Sequence, residues 1–380
     1  MKFNRQNNNV FTSWWWTVDK ISLLAILIIM AFGAIMVTTA SPAVAERIGL
    51  DGSFFIKRQL IFLIVTLFVM LFFSFLSPLA IRRIATIGFG VGIFLLILVL
   101  FFSHETKGAR RWISIGSFAL QPSEFMKPFF IIVTAWMLAE SKIRQGFKGV
   151  KISMALYGLL ALLLLLQPDV GMFVVVSTVW GAQLFLSGVS MLYIGALVVL
   201  GIGSLLGAYL IFPHVSHRVN KFLGIDADAN YQVKKSLEAF NSGGITGRGP
   251  GEGVVKQHLP DSHTDFIFAV VGEELGAIVC VAIILLYAFI VFRGFKKMLW
   301  EKDLFLVYAV SGLLMQFGVQ AMINMGVALN LLPTKGMTLP FISYGGSSMI
   351  AIAVAMGMML ALTRRRFGNV IKRQDFMVGG

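Results

Sequence analysis

The chain has 380 residues, 57% of them apolar and 13% charged, with a formal net charge of +14. Several apolar windows exceed about 18 residues with almost no charge, which excludes a soluble globular domain and marks a polytopic helical membrane protein. The basic excess suggests a nucleic-acid partner, but the positions of the charges exclude one.

A polar tail, residues 1–20, opens with "MKFNRQNNN", and Trp14–Trp16 reads as an interfacial anchor. The apolar stretch Ile21–Ala40 is long enough to span, and more spans follow, so it reads as a retained first helix and not a cleaved signal. Further spans are predicted near Leu60–Leu76, Ile84–Phe102, Phe125–Ala139, Ile152–Leu166, Val170–Leu186, Met191–Phe212, Thr264–Phe292, Leu304–Leu329 and Ser343–Thr363. The reading is an all-α polytopic membrane protein of about ten transmembrane helices. It forms one membrane domain over 1–380, with both termini cytoplasmic, a large extracytoplasmic loop at 213–263 and a cytoplasmic tail at 364–380. In that orientation the inner segments hold 18 Lys/Arg and 5 acids, and the outer segments hold 13 of each. The positive-inside rule fixes this topology, so the basic balance describes a membrane and not a nucleic acid. The single Cys280 sits in an apolar run, which leaves no disulfide framework within one chain.

The polar chemistry collects on the outer side. The long loop carries two amphipathic pieces, "HVSHRVNKFL" and "NYQVKKSLEAF", suited to helices at the headgroup level. It then turns glycine-rich at "NSGGITGRGPGEG". No strand precedes those glycines, so a P-loop or Rossmann reading fails, and a mobile loop is the plainer expectation. Arg110, Arg111, Arg248 and Lys256 could hold a diphosphate by charge-assisted bonds, or could face lipid headgroups.

In "HLPDSHTDFIFAVVGEEL", Ser262 and Asp265 have the spacing of a capping box at the start of a helix. The alternative is a carboxylate at the membrane surface that takes a proton from a substrate hydroxyl. Glu273 and Glu274 lie about two turns deeper and call for a basic partner from another span. In "QPSEFMK", Glu124 and Lys127 share a helix face; Lys127 paired with Glu124, or with Asp169 of "QPDVG", would line a cavity or fix helix packing. "SYGGSS" brings small residues to a helix start for close packing. The five histidines lack metal-ligand spacing.

"GARRWISIGSFALQPSEFMK", "QPDVG", "SGGITGRGPGEGVVKQHLPDSHTDFIFAVVGEELG" and "LPTKGMTLPFISYGGSS" together resemble the SEDS family (shape, elongation, division and sporulation), in order from about Asp19 to Arg366. "ASPAVAERIG", "FFIKRQL" and "GRGPGEGVVK" look more like its septal members than its elongation members. The resemblance implies a peptidoglycan glycosyltransferase that polymerises lipid II at the outer face of the bacterial cytoplasmic membrane, at the division septum. It places the essential aspartate at Asp265, and a cavity lysine and aspartate at Lys127 and Asp169. The family commonly has Glu where this chain has Asp261. Candidate substrate-binding residues are Arg58, Arg111, Glu124, Lys127, Asp169, Arg248, Lys256, Ser343, Gly345 and Ser347. A divalent cation, Mg or Mn, is a candidate helper. The implied partners are lipid II, the nascent polyprenyl-diphosphate-linked glycan, membrane lipids, an FtsI-like septal class B penicillin-binding transpeptidase and other division proteins. A lipid II flippase and a non-catalytic division scaffold are the alternatives, and an elongation polymerase is the alternative branch.

Overall fold

Apolar runs of about 20 residues cross a bilayer as helices, because a helix satisfies its backbone N–H and C=O groups within one segment. A computed structural model describes residues 10–102, 111–115, 118–222, 231–334 and 336–365. The ends of both tails and Arg110 lie outside the described residues.

Each predicted span is a helix. After a short α1 (Val10–Thr17) come α2 (Lys20–Ala40), a one-turn α3 (Pro42–Arg47), α4 (Phe54–Phe75) and α5 (Pro78–Phe102). Then follow α6 (Pro122–Ile143), α7 (Gly149–Leu166), α8 (Val170–Leu186) and α9 (Met191–Ile211). The long loop contributes α10 (Pro213–Phe222) and α11 (Tyr231–Gly243), and α12 (Ile267–Met298), α13 (Leu304–Ala328) and α14 (Gly346–Leu362) complete the chain. Among the described residues, seven helices are long and apolar enough to cross a membrane by length and composition, and α8 and α14 are shorter apolar helices. α6 stands apart for a chemical reason: it carries Glu124, Lys127, Glu140 and Lys142.

The structure adds a feature that the helical periodicity does not announce. An antiparallel hairpin, β1 (Ile113–Ile115) with β2 (Phe118–Leu120), precedes α6, with Ile113 opposite Leu120. α11 is less superficial than its amphipathic pattern suggests, because it packs on α12 and buries Val233, Ser236 and Ala239. The bundle centres on α6, α13 and α14, whose inward faces are almost wholly buried, while α9 is exposed along most of its length.

The tryptophan triplet divides its roles. Trp14 is buried, donates Nε1–H to Ser74 Oγ at 3.0 Å and stacks on Phe75, whereas Trp15 and Trp16 stay exposed against the Lys20 ammonium. At this end of the bundle Asp19 accepts from Arg293 at 2.9 and 3.0 Å and pairs with Lys297 at 2.7 Å. Burial alone would raise the Asp19 pKa, but the bonds from Arg293 and Lys297 outweigh it and hold the carboxyl below its usual range. Arg364 donates to Thr17 Oγ1 at 3.0 Å, so the two ends of the described chain meet on one side, as an even number of spans requires.

At the opposite end α2 touches the segment before α14. A Cβ on Gly33 would lie 2.3 Å from the Phe341 carbonyl oxygen and 2.6 Å from Ile342 Cα. Backbone cannot swing aside as a side chain can. Gly33→Ala is therefore expected to lower stability by about 1–3 kcal/mol, read as a lower melting temperature in detergent. An unchanged melt would mean that this contact is free to part.

Candidate active site

Asp265 lies before α12 and outside it. The helix begins at Ile267, and its N-cap is Phe266, not Ser262. The capping-box reading of Ser262 and Asp265 is therefore corrected. Residues 261–266 turn instead: Asp261 has φ 53°, and its carbonyl accepts from the N–H groups of Thr264 and Phe266. Ser262 Oγ reaches across to the Ala40 carbonyl at 3.5 Å.

Three segments hold this turn. Ser343 Oγ donates to the Thr264 carbonyl at 2.6 Å and accepts from Leu339 N–H at 2.7 Å. Tyr344 N–H donates to the His263 carbonyl at 2.9 Å, and Asn324 Nδ2 donates to the Asp265 carbonyl at 2.9 Å. Phe55 and Tyr344 flank the His263 ring, with centroids 4.5 and 5.3 Å away. Arg58 bonds the Tyr344 hydroxyl and stacks over Phe54. The Asp265 side chain itself is half-buried.

Glu273 and Glu274 are buried, and both find partners in the glycine-rich loop and not in another span. Glu273 accepts from the backbone N–H groups of Val254, Val255 and Lys256 at 2.7, 2.6 and 2.9 Å. Glu274 pairs with the Lys256 ammonium and accepts from Gly251 N–H at 3.1 Å. The helix breaks just beyond, at Gly276, where φ is +77°. A side chain there would strike the Ile245 carbonyl, 2.3 Å from the Cβ position. The backbone freed by the break pairs with the loop: Ala277 N–H donates to the Gly244 carbonyl at 3.0 Å, and Gly249 N–H donates to the Glu274 carbonyl at 2.9 Å. The expectation of a mobile glycine-rich loop is corrected, because its backbone is docked on α12. Arg248 is part of that docking, through its N–H to the Glu273 carbonyl and its Nε to the Ser242 carbonyl.

A second polar layer lies among α6, α8, α13 and α14. Lys127, 1% exposed, pairs with Glu124 at 2.7 Å and donates to Gln320 Oε1 at 2.9 Å. Asp169 caps α8 through Met172 N–H at 3.4 Å and pairs with Arg111 at 3.5 Å. Arg111 also donates to the Pro168 carbonyl. Of the two partners weighed for Lys127, Glu124 is the one in contact. Ser123 and Gln121 reach Asp169 at 3.5 Å, and Ser347 Oγ accepts from Gln121 N–H at 3.3 Å while donating to the Ala119 carbonyl at 2.9 Å. Gly345 is the α14 N-cap, against Thr338.

Lys256 stands apart from that layer. Its ammonium also donates to the carbonyls of Thr39 and Gly251, and it borders an open outer cavity of about 880 Å³ between α3 and the glycine-rich loop. Arg47, Glu46 and His258 share that cavity. Among the described residues, no group of three or more His, Cys, Asp or Glu side chains is arranged to hold a metal ion.

Sequence reasoning missed Gln121, Ser123, Gln320 and Asn324. The signal for the last two was available: amides at positions 316, 320 and 324 recur every four residues within an apolar span.

A family model described as cell cycle protein, covering FtsW, RodA and SpoVE, matches residues 19–367. The probable peptidoglycan glycosyltransferase FtsW of Caulobacter vibrioides is 44% identical, over 99% of this chain and 97% of that protein. Its counterpart from Escherichia coli O157:H7 is 37% identical, over 87% and 82%. The solved rod shape determining protein RodA of Thermus thermophilus superposes with a TM-score of 0.71 at 27% identity, over 93% of this chain and 99% of that one. A chain of a peptidoglycan synthase complex that coordinates polymerization and crosslinking gives 0.72 at 28%, over 92% and 98%.

His263 yields a test of the outer turn. It is buried, and its Nδ1 has no hydrogen-bond partner among the described residues. Burial lowers its pKa to about 4; Asp261 opposes the shift and Arg47 adds to it. An unfolded imidazole titrates near ~6.5, so the native state binds fewer protons and stability falls as pH drops from there toward 4, by up to ~3 kcal/mol. The melting temperature is expected to fall across that window and His263→Gln to flatten the fall. An equally steep fall in the variant would assign the titration to another group.

Proposed function

This chain belongs to the SEDS family of cell cycle proteins typified by FtsW, RodA and SpoVE, and from that premise we propose that it polymerises lipid II, with Asp265 as general base. The peptidoglycan glycosyltransferase activity is that of its FtsW relatives. The observation that carries the residue assignment is the placement of Asp265: half-buried, outside any helix, and fixed by Ser343, Tyr344 and Asn324 from two other segments. A helix cap needs no such scaffold, whereas a proton acceptor must be held within reach of its substrate.

The donor is the growing glycan on its polyprenyl diphosphate. The 4-hydroxyl of the GlcNAc on incoming lipid II attacks the donor's anomeric carbon, and Asp265 takes the hydroxyl proton. The new glycosidic C–O bond forms as the bond to the diphosphate breaks, the diphosphate leaves with the electron pair, and the α anomer becomes β. One carboxylate suffices, since a diphosphate leaves without protonation; glycoside hydrolysis needs two carboxyl groups because its leaving group does not. Arg111 and Lys256 are the basic groups assigned to the diphosphate charge. Lys256 borders the outer cavity, and Arg111 sits beside Asp169 with its remaining donors directed at backbone carbonyls. A divalent cation would have to be held mainly by the phosphates, since the described carboxylates form no cage for it.

The septal role follows the FtsW relatives, and residence at the septum and pairing with a class B transpeptidase are part of the same proposal. The neighbour from a peptidoglycan synthase complex supports that partnership in kind. A flippase would need a path through the cytoplasmic end, where Asp19, Arg293, Lys297 and Arg364 tie the helices together.

Purified protein in liposomes, supplied with lipid II and the transpeptidase, is expected to make glycan strands. Asp265→Asn should lose about 10²–10⁴-fold in rate, the range of general base catalysis, while keeping a normal melt. Wild-type rates from a folded Asp265→Asn would remove the base assignment, and a chain that moves lipid II without polymerising it would return the flippase reading.

A further inference from the structure

α13 carries Gln316, Gln320 and Asn324 at four-residue spacing, so three amides share one helix face. All three are buried to about 1% exposure, in a bundle where an unsatisfied amide is costly. The partners of Gln320 and Asn324 define what the outer part of this face is for.

Gln320 joins two layers of the site. Its Oε1 accepts from Lys127 Nζ at 2.9 Å, and its Nε2 reaches the Thr338 carbonyl at 3.3 Å and Ser348 Oγ at 3.4 Å. One turn nearer the outer end, Asn324 spends both of its N–H donors. One goes to the Asp265 carbonyl at 2.9 Å and the other to the Met337 carbonyl at 2.6 Å. Its Oδ1 has no hydrogen-bond partner among the described residues, so the two donors are what this position supplies.

Met337 follows Gly336, and Gly336 is the wall beside the base. A Cβ built on Gly336 would lie 3.4 Å from Asp265 Oδ2. A single amide thus sets the backbone that bears the carboxylate and the backbone that the carboxylate rests against.

We propose that Asn324 is a positioning residue for Asp265, and that Gln320 ties the same loop to the Glu124–Lys127 pair. The proposal rests on the reading of Asp265 as the general base. Asn324 touches no reacting atom. Its loss leaves lipid II binding in place and lets the carboxylate drift from the acceptor hydroxyl, so turnover falls and affinity does not. A displacement of about 1 Å is enough to lower a rate on the order of 10²-fold.

The experiment uses the full chain in liposomes with the transpeptidase, comparing wild type, Asn324→Ala and Asp265→Asn. Polymerisation is followed as lipid II concentration varies, and fluorescent lipid II binding gives the fraction of competent protein. Asn324→Ala is expected to lower kcat by about 10–100-fold per binding-competent molecule, with half-saturating lipid II within about 3-fold of wild type. A merely structural role would lower the competent fraction and leave turnover per competent molecule unchanged, which would overturn the proposal. So would a loss expressed in half-saturation and not in kcat. If Asn324→Ala fails to fold, Asn324→Ser, which keeps one short donor, applies the same test. It is expected to show the same kcat-only loss, and wild-type turnover there would overturn the proposal. An inactive Asp265→Asn beside a normal Asn324→Ala sinks this inference alone. An active Asp265→Asn sinks the base assignment and this inference with it.

Discussion

The carboxylate of Glu273 accepts three consecutive backbone N–H groups, from Val254, Val255 and Lys256, in a part of the chain that would otherwise be a glycine-rich tether. Hydrogen bonds to a charged group are worth roughly 1.5–3 kcal/mol each, and an unpaired acid at mid-membrane costs up to about 2.5–3.5 kcal/mol on insertion scales. The bonds are thus sufficient to hold a buried acidic side chain within α12. They also dictate the path of the loop. Once residues 254–256 are pinned and Lys256 is paired with Glu274, the chain between His258 and Asp265 has little choice but to cross beside α2. The break at Gly276 completes the arrangement, because it frees backbone groups that the loop then satisfies.

The same rule orders the interior. Charges in an apolar bundle persist where each has a partner. Glu124 and Lys127 pair within α6 and Lys127 also donates to Gln320 of α13, while Asp169 is the cap of α8 as well as the partner of Arg111. Removing one member would leave another buried and unpaired, so these pairs specify the relative placement of helices more than they add stability.

Much of this was legible in the chain. Helix positions followed from apolar length, and Glu124 with Lys127 followed from a spacing of three. Pairings between residues far apart were not. Arg111 and Asp169 are separated by two whole spans, α6 and α7, and the loop that satisfies Glu273 reads as flexible because glycine reports what backbone is permitted and not what it docks on. The capping-box error has a similar origin. Ser262 and Asp265 have the right spacing, but Asp261 takes a left-handed conformation and delays the helix to Ile267, a choice made by contacts with α2, α13 and the segment before α14. The amides of α13 were the opposite case, visible by periodicity yet without meaning until their partners were known.

The two ends of the bundle differ, and the difference suits a lipid-linked substrate. At the end where α1 enters, Asp19 takes up Arg293 and Lys297, and Arg364 binds Thr17 and the Phe75 carbonyl. At the opposite end Asp265 is half-buried, and Lys256, paired with Glu274, borders a wide cavity. A polyprenyl tail can stay in the hydrocarbon layer while its diphosphate and sugars meet these groups at the headgroup level. Both ends are thus tied by paired charges, and the turn that carries Asp265 is held through its backbone while its side chain stays half-buried. That turn is held by the amide of Asn324 and the hydroxyl of Ser343, both from outside α12.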